Sequence, residues 1–311
     1  MKVLVTGANG FLGRHVSAAL RDHDVRALVR RPIDLGVETV IGDVNDPRSL
    51  EAAVDGVDAV IHAAGPVSHK PVDASLMQRV HVEGTANVLR AARGKRIVHL
   101  STSGTVAVST DARVHDETSA DPLTLVARWP YYRAKRMSEP LALEAGAVVL
   151  NPSLVLGPGG RDGSNKIVQL FLDGWVTASP PGGTSVVDVR DVAEQCARCL
   201  TVGNPGERYL LGAANWTFRD ILGRLARISG QGAPLLSMPR VTRKVLDAFP
   251  GFGKDEGLGF FGKRLDREDV ELTCHFWYLD DAKARRDIGW SPRDPMDTLT
   301  DAVRDLTAHA A

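Results

Sequence analysis

From residue 2 to about residue 157 the chain repeats one rhythm: a short, nearly continuous apolar run, then a segment whose apolar positions recur at helical spacing. The runs are VLVTG, VRALVR, TVIGD, DAVIHAAG, RIVHLSTS and AVVLNPSLVLG. Between them lie FLGRHVSAALRD, SLEAAVDG, MQRVHVEGTANVLRAARG and YYRAKRMSEPLALE. Strands that are apolar along their whole length are covered on both faces, so the pattern predicts an α/β chain built on a doubly wound parallel sheet. After Gly157 the rhythm breaks into the Gly/Pro-rich pieces GPGGRDG, SPPGG and FPGFGKDEGLGFFGK, with a returning helix near 190–202 and a strand at RYLLG. This break predicts a smaller C-terminal substrate lobe. The expected division gives residues 1–170 and 185–213 to the sheet domain, and 171–184 and 214–311 to the lobe. No internal repeat interrupts this reading.

Composition narrows the partners. The 311 residues carry 38 Lys+Arg against 38 Asp+Glu, so no broad basic field gathers nucleic acid or anionic lipid. No stretch reaches the roughly 18 uncharged apolar residues of a membrane helix, and the chain starts straight into a strand, so a cytoplasmic protein with no membrane partner is expected. Cys196, Cys199 and Cys274 are an odd number, which suits a reducing compartment. The C-x-x-C at 196–199 shares a helical face with Val192, Ala193 and Leu200, so buried thiols are expected there rather than a redox pair or a metal site.

Within the first strand–turn–helix, TGANGFLG places Gly7, Gly10 and Gly13 at the spacing a phosphate-binding turn requires. Gly7 permits the tight turn, Gly10 lets a pyrophosphate approach the backbone, and Gly13 lets helix and strand pack closely, with the helix N-terminus aimed at the phosphates.

TGANGFLG resembles the TGxxGxxG loop of the extended short-chain dehydrogenase/reductase family, which includes the NAD-dependent epimerases and dehydratases. The resemblance continues in order through GDVND (42–46), HAAG (62–65), VEGTANVLRAA (82–92), STSG (101–104), YYRAK (131–135), NPSLVLGPG (151–159), DVRDVA (188–193) and KARRDIGWSPR (283–293). It implies a Rossmann fold and a nicotinamide cofactor held by Gly7, Asn9, Gly10, Phe11 and Leu12. By the same resemblance Asp43 and Val44 flank the adenine, Ala63, Ala64 and Gly65 pass the ribose, and Pro152 and Ser153 meet the carboxamide. Where an acidic residue would accept hydrogen bonds from the NAD ribose, the second strand ends in Arg30 and Arg31. A guanidinium there suits the 2′-phosphate of NADP, so NADP is favoured, with Arg31 alternatively facing solvent.

Tyr131 and Lys135 stand four residues apart, on one face of a helix that Pro130 can begin. An ammonium beside a phenol is expected to lower its pKa and make Tyr131 a proton donor in reduction and a base in oxidation. The third catalytic group is expected at the end of the fifth strand. Register against the family's SSxA pattern puts Thr102 there, with Ser103 as the competing hydroxyl. The resemblance then implies that Tyr131 protonates a developing alkoxide, Thr102 orients that oxygen, and Lys135 holds the nicotinamide ribose. Tyr132 belongs on another face, and His62, His81 and His99, without metal-ligand spacing, read as structural or as supports behind the site residues.

NPSLVLGPG is closer to the dihydroflavonol-reductase and 3β-hydroxysteroid-dehydrogenase branch than to sugar-nucleotide enzymes. Phe171, Trp175, Trp216, Phe218, Phe249, Phe252, Phe260, Phe261, Phe276 and Trp277 fall in the lobe region, and they suit an apolar, ring-containing substrate or the lobe's own core. The expected activity is hydride transfer between nicotinamide and a ketone, aldehyde or secondary alcohol. A sugar-nucleotide epimerase with retained NAD and a non-catalytic redox-sensing relative are the alternatives. The expected partners are a small-molecule substrate and a second copy of the chain in a homodimer. Five glycines among Phe252, Phe260 and Phe261 in GFGKDEGLGFFGK (251–263) suggest a closing lid, or else a static loop or subunit contact.

Overall fold

A computed structural model describes residues 1–160, 163–238 and 266–308. The expected lid at 251–263, with Phe249, Phe252, Phe260 and Phe261, lies outside the described residues.

The apolar runs form a seven-stranded parallel sheet of β1 (Lys2–Thr6), β2 (Asp24–Val29), β3 (Glu38–Ile41), β4 (Ala59–His62), β5 (Arg96–Leu100), β7 (Val148–Pro152) and β11 (Arg208–Leu211). Its order is β11-β7-β5-β4-β1-β2-β3, so the chain reverses direction across the sheet between β1 and β4. Side chains alternate along each strand, and both faces are buried. Val3 and Val5 pack under α1 (Phe11–Ala19) and α8 (Val189–Arg198). Leu4 and Val60 pack on the other face under α2 (Pro47–Val54), α4 (Gly84–Ala91) and α6 (Pro130–Glu144). Cys196 and Cys199 are buried on the inward face of α8 and its last turn, among Val16, Leu20 and Val192.

A second sheet has the order β12-β10-β14-β6, with β8 alongside β10: β6 (Val114–His115), β8 (Leu154–Leu156), β10 (Gly183–Asp188), β12 (Ala214–Thr217) and β14 (Phe276–Leu279). A short pair, β9 (Ala178–Ser179) with β13 (Leu236–Ser237), completes the strands described. The expected boundary at residue 185 falls inside β10, which belongs wholly to the second sheet, because its apolar residues pair with β8, β12 and β14. That sheet packs against α7 (Lys166–Leu172), α9 (Phe218–Ser229) and the helix Pro295–Ala308 through Phe171, Val186, Phe218, Leu225, Leu299 and Val303. Phe171 and Phe218 therefore serve the lobe's own core, and Trp216 lies partly buried against it under the Arg224 guanidinium. Asp188 caps α8 through the Arg190 amide and pairs with the Arg190 guanidinium, which also reaches Asp301 at 2.8 Å, so the ion pairs stitch the last helix to the first sheet domain. Among the described residues no helix is long and apolar enough to cross a membrane.

Candidate active site

Every predicted site residue outside α1 and α6 lies at or just beyond the carboxyl end of a strand, where open parallel sheets bind ligands. At the reversal between β1 and β4, Gly7 has φ +77°, and a Cβ there would sit 2.7 Å from the Ala63 carbonyl oxygen. A Cβ at Gly13 would sit 2.0 Å from the Gly7 oxygen, so turn and helix touch through bare backbone. Gly10, by contrast, has only the Gly7 oxygen near its Cβ direction, at 3.2 Å. It precedes α1 without a side-chain cap, leaving the helix's first amides for a ligand. This cradle fits a pyrophosphate. Asn9 is exposed, Phe11 stands edge-on to His15, and Leu12 packs against the core.

Arg30 and Arg31 follow β2 directly, and both are exposed. Asp43 is folded into a turn in which it accepts from the Asn45 amide at 2.8 Å, while Val44 is buried and its carbonyl accepts from Asn87. Ala63, Ala64 and Gly65 leave β4, with the Ala64 amide 3.3 Å from Thr6 Oγ1. Pro152 ends β7, and Ser153 donates its amide to Leu211 while its buried hydroxyl has no partner among the described residues.

The reacting centre forms where β5 faces α6. Pro130 opens α6, and Tyr131 and Lys135 follow on successive turns. β5 stops at Leu100, two residues before Thr102, so strand alternation does not decide between the hydroxyls. Thr102 instead caps the 3-10 turn Ser103–Thr105 through the Gly104 amide, and its side chain is near enough to the Tyr131 phenol to act on its pKa; Ser103 is buried inside the turn.

Burial pushes the phenol up to about 12, against the lowering effect of Thr102. The expected depression by Lys135 is thus reversed in the chain itself, because desolvation of the phenolate dominates. Lys135 donates to the Leu100 carbonyl at 2.7 Å, and burial brings it down to about 8, with Glu139 acting in the opposite direction. Beneath it, His62 bridges Thr6 and Thr85 at 2.7 and 3.1 Å. Burial first, and then the Lys135 charge, holds His62 and His81 down to about 3 and His99 well below the usual imidazole range. As neutral imidazoles they pack around the Lys135 ammonium.

Sequence reasoning missed the aromatic wall beside the phenol. His81 stands edge-on to Tyr131 with ring centres 5.3 Å apart, and it is anchored to the Pro66 carbonyl. Tyr132 is next to the centre: its ring lies between His69 and Trp277, at 5.4 and 4.8 Å. Gly104 makes room, since a Cβ there would meet the Tyr132 ring at 2.4 Å. Asp269, in the helix Arg267–Leu272, accepts from His69 at 3.3 Å and from Lys166 at 2.6 Å. Burial would raise its pKa, but those partners hold it down to about 2. Only the aromatic count in the lobe hinted at this wall.

Comparison with known proteins agrees with this fold. Residues 3–212 match the model of the NAD dependent epimerase/dehydratase family, and the chain belongs to that family. It is 30% identical to sterol demethylase protein B of Methylococcus capsulatus, covering 97% of each chain. It is 29% identical to 4-hydroxy-2-methyl-3-oxo-4-farnesyl-3,4-dihydroquinoline-1-oxide ketoreductase of Stigmatella aurantiaca, over 98% of this chain and 96% of that one. The crystal structure of gox2253 superposes with a TM-score of 0.80 at 28% identity, over 99% of this chain and 98% of that one. The protein is an extended short-chain dehydrogenase/reductase, a nicotinamide-dependent oxidoreductase with a Rossmann fold.

Proposed function

We propose that the protein is an NADP(H)-dependent carbonyl reductase acting on an apolar, ring-containing small molecule, with Thr102, Tyr131 and Lys135 as its catalytic residues. The observation that carries this is the meeting of the Tyr131 phenol with Thr102, with Lys135 on the next helical turn, at the same carboxyl edge of the sheet as a glycine cradle open to phosphate. Gly7, Asn9, Gly10, Phe11 and Leu12 would hold the pyrophosphate. Asp43 and Val44 would flank the adenine, Ala63, Ala64 and Gly65 the ribose, and Pro152 and Ser153 the carboxamide. When bound, nicotinamide supplies the hydride that reduces a carbonyl, or accepts it in the reverse direction. Tyr131 gives the proton to the oxygen that becomes alkoxide, Thr102 orients that oxygen, and the Lys135 ammonium favours the phenolate that remains.

Arg30, with Arg31 beside it, supports NADP, because both guanidiniums stand exposed at the end of β2 where a 2′-phosphate would lie. Tyr132 and Trp277 support an apolar substrate, and the relative named as a ketoreductase supports the reaction class. Five segments of the second sheet, with their helices, would form the substrate lobe. Exposed Val72, Leu76 and Met137 favour a homodimer through the layer of residues 71–91 and 130–144. Cys196, Cys199 and Cys274 are thiols with no disulfide among the described residues, which fits a cytoplasmic location.

The test is cofactor oxidation, with NADPH and NADH in parallel, against cyclic ketones, hydroxysteroids and sugar nucleotides. NADPH consumption with an apolar ketone is the expected result. Conversion of a sugar nucleotide to its epimer without external reductant would overturn the reading in favour of an epimerase.

A further inference from the structure

We propose that Glu139 is a positioning residue of this site: its buried carboxylate anchors the backbone of Thr102 and places a negative charge one helical turn beneath Lys135. The inference rests on Thr102, Tyr131 and Lys135 being the reacting centre.

Glu139 follows Lys135 by four residues on α6, so the two share a face, and the carboxylate is 1% exposed. A carboxylate so deep is costly unless its lone pairs are taken, and here they are. Oε2 accepts from Ser101 Oγ at 2.5 Å, from Asn151 Nδ2 at 2.7 Å and from Thr105 Oγ1 at 2.8 Å, and Oε1 pairs with Arg208 at 3.0 Å. These partners come from the end of β5, the turn after it, β7 and β11, so one carboxylate gathers the three outermost strands on that side of the sheet.

The consequence reaches Thr102 through two of them. Asn151 Nδ2 lies 3.0 Å from Thr105 Oγ1 and 3.1 Å from the Thr102 carbonyl oxygen, so the proton not given to Glu139 is shared between those two. Thr105 Oγ1 lies 2.9 Å from the same oxygen, so its single proton is shared between Thr102 and Glu139. The Thr102 carbonyl is therefore held by two groups that Glu139 itself holds, and the Thr102 hydroxyl inherits that placement. Ser101 fixes the preceding residue in the same way. The groups facing Lys135 are Tyr131 and Glu139 from α6, His62 from β4, His99 from β5, and His81 from the π-helical turn Gln78–Glu83. With the imidazoles neutral, Glu139 is the one anion among them, and it favours the ammonium. Arg208 partly offsets that anion from its far side.

Two variants separate the two effects. Glu139→Gln keeps the shape and an acceptor but removes the charge. Turnover is expected to fall by about 10²-fold, the scale of an ångström-level misplacement, with NADPH affinity unchanged. In the same protein with ¹³C-labelled lysine, the Lys135 resonance should titrate at lower pH than in wild type. Thr105→Val removes a support of Thr102 without touching the charge, so turnover should fall while the Lys135 titration stays in place. Wild-type turnover together with an unmoved Lys135 titration in Glu139→Gln would overturn the proposal. If that variant does not fold, wild-type turnover in Thr105→Val overturns it. Tyr131→Phe is the control: an active Tyr131→Phe refutes the underlying assignment, whereas an inactive one beside fully active Glu139→Gln and Thr105→Val refutes only the role of Glu139.

Discussion

Lys135 is buried with its ammonium on the Leu100 carbonyl, and Glu139 beneath it has four partners; at the end of β2, Arg30 and Arg31 stand in solvent without a hydrogen bond or ion pair to the described residues. Under the proposed function the two ends would do different work. Proton transfer needs a phenol, a hydroxyl and an amine in fixed geometry, so that end is packed and cross-linked by hydrogen bonds before substrate arrives. Recognising a phosphate needs charge in reach of a flexible stem, so the other end can remain free and solvated. Rate should therefore depend on small changes at the buried end, and cofactor preference on charge at the exposed end.

The sharpest break in that contrast is Tyr131→Phe, which removes the proposed proton donor. Turnover is expected to fall by about 10²–10⁴-fold while NADPH still binds, as read by steady-state kinetics beside fluorescence titration. Thr102→Ala comes next, with a loss of about 10²–10³-fold, whereas Ser103→Ala, inside the turn, should cost far less. The reverse order would assign the orienting hydroxyl to Ser103. At the exposed end, Arg30→Asp should weaken NADPH by roughly 1.5–3 kcal/mol and leave turnover at saturation and NADH affinity nearly untouched. Equal NADPH affinity in mutant and wild type would remove the arginine from cofactor choice. The smallest effect is on pH. Lys135, brought down to about 8 by burial, carries its charge below that pH and loses it above, so carbonyl reduction should decline on the alkaline side of about pH 8. A rate that stays flat to pH 10 would mean that the ammonium plays no part in turnover.

The features legible in the sequence are local ones. The strand rhythm, the turn at Gly7 and the four-residue step from Tyr131 to Lys135 each follow from periods that a short window displays. Glu139 was within the same reach, one further turn along α6. Its significance was not, because Ser101, Asn151 and Arg208 come to it from three different strands. His69 and Asp269, 200 residues apart in sequence, meet only through tertiary packing. The sign of the phenol's shift needed its burial, which spacing does not report. The strand β6 was illegible for a simpler reason: two residues carry no period. α6 also runs through Pro140, where a proline would ordinarily suggest a helix end.

Strand membership has a further consequence for how such a protein can be rebuilt. The chain runs from β5 in the large sheet to β6 in the small one, back to β7, out again to β8 and β10, back to β11, and out to β12 and β14. No single crossover point in a gene chimera can therefore exchange the second sheet as a cassette. A graft that carries only residues after Leu211 would import β12 and β14 while keeping the host's β6, β8 and β10 as their neighbours. Recombination that alters the lobe must replace several interleaved segments together, so change at this end of the molecule is expected to proceed by side-chain substitution within the sheet and not by wholesale exchange of modules.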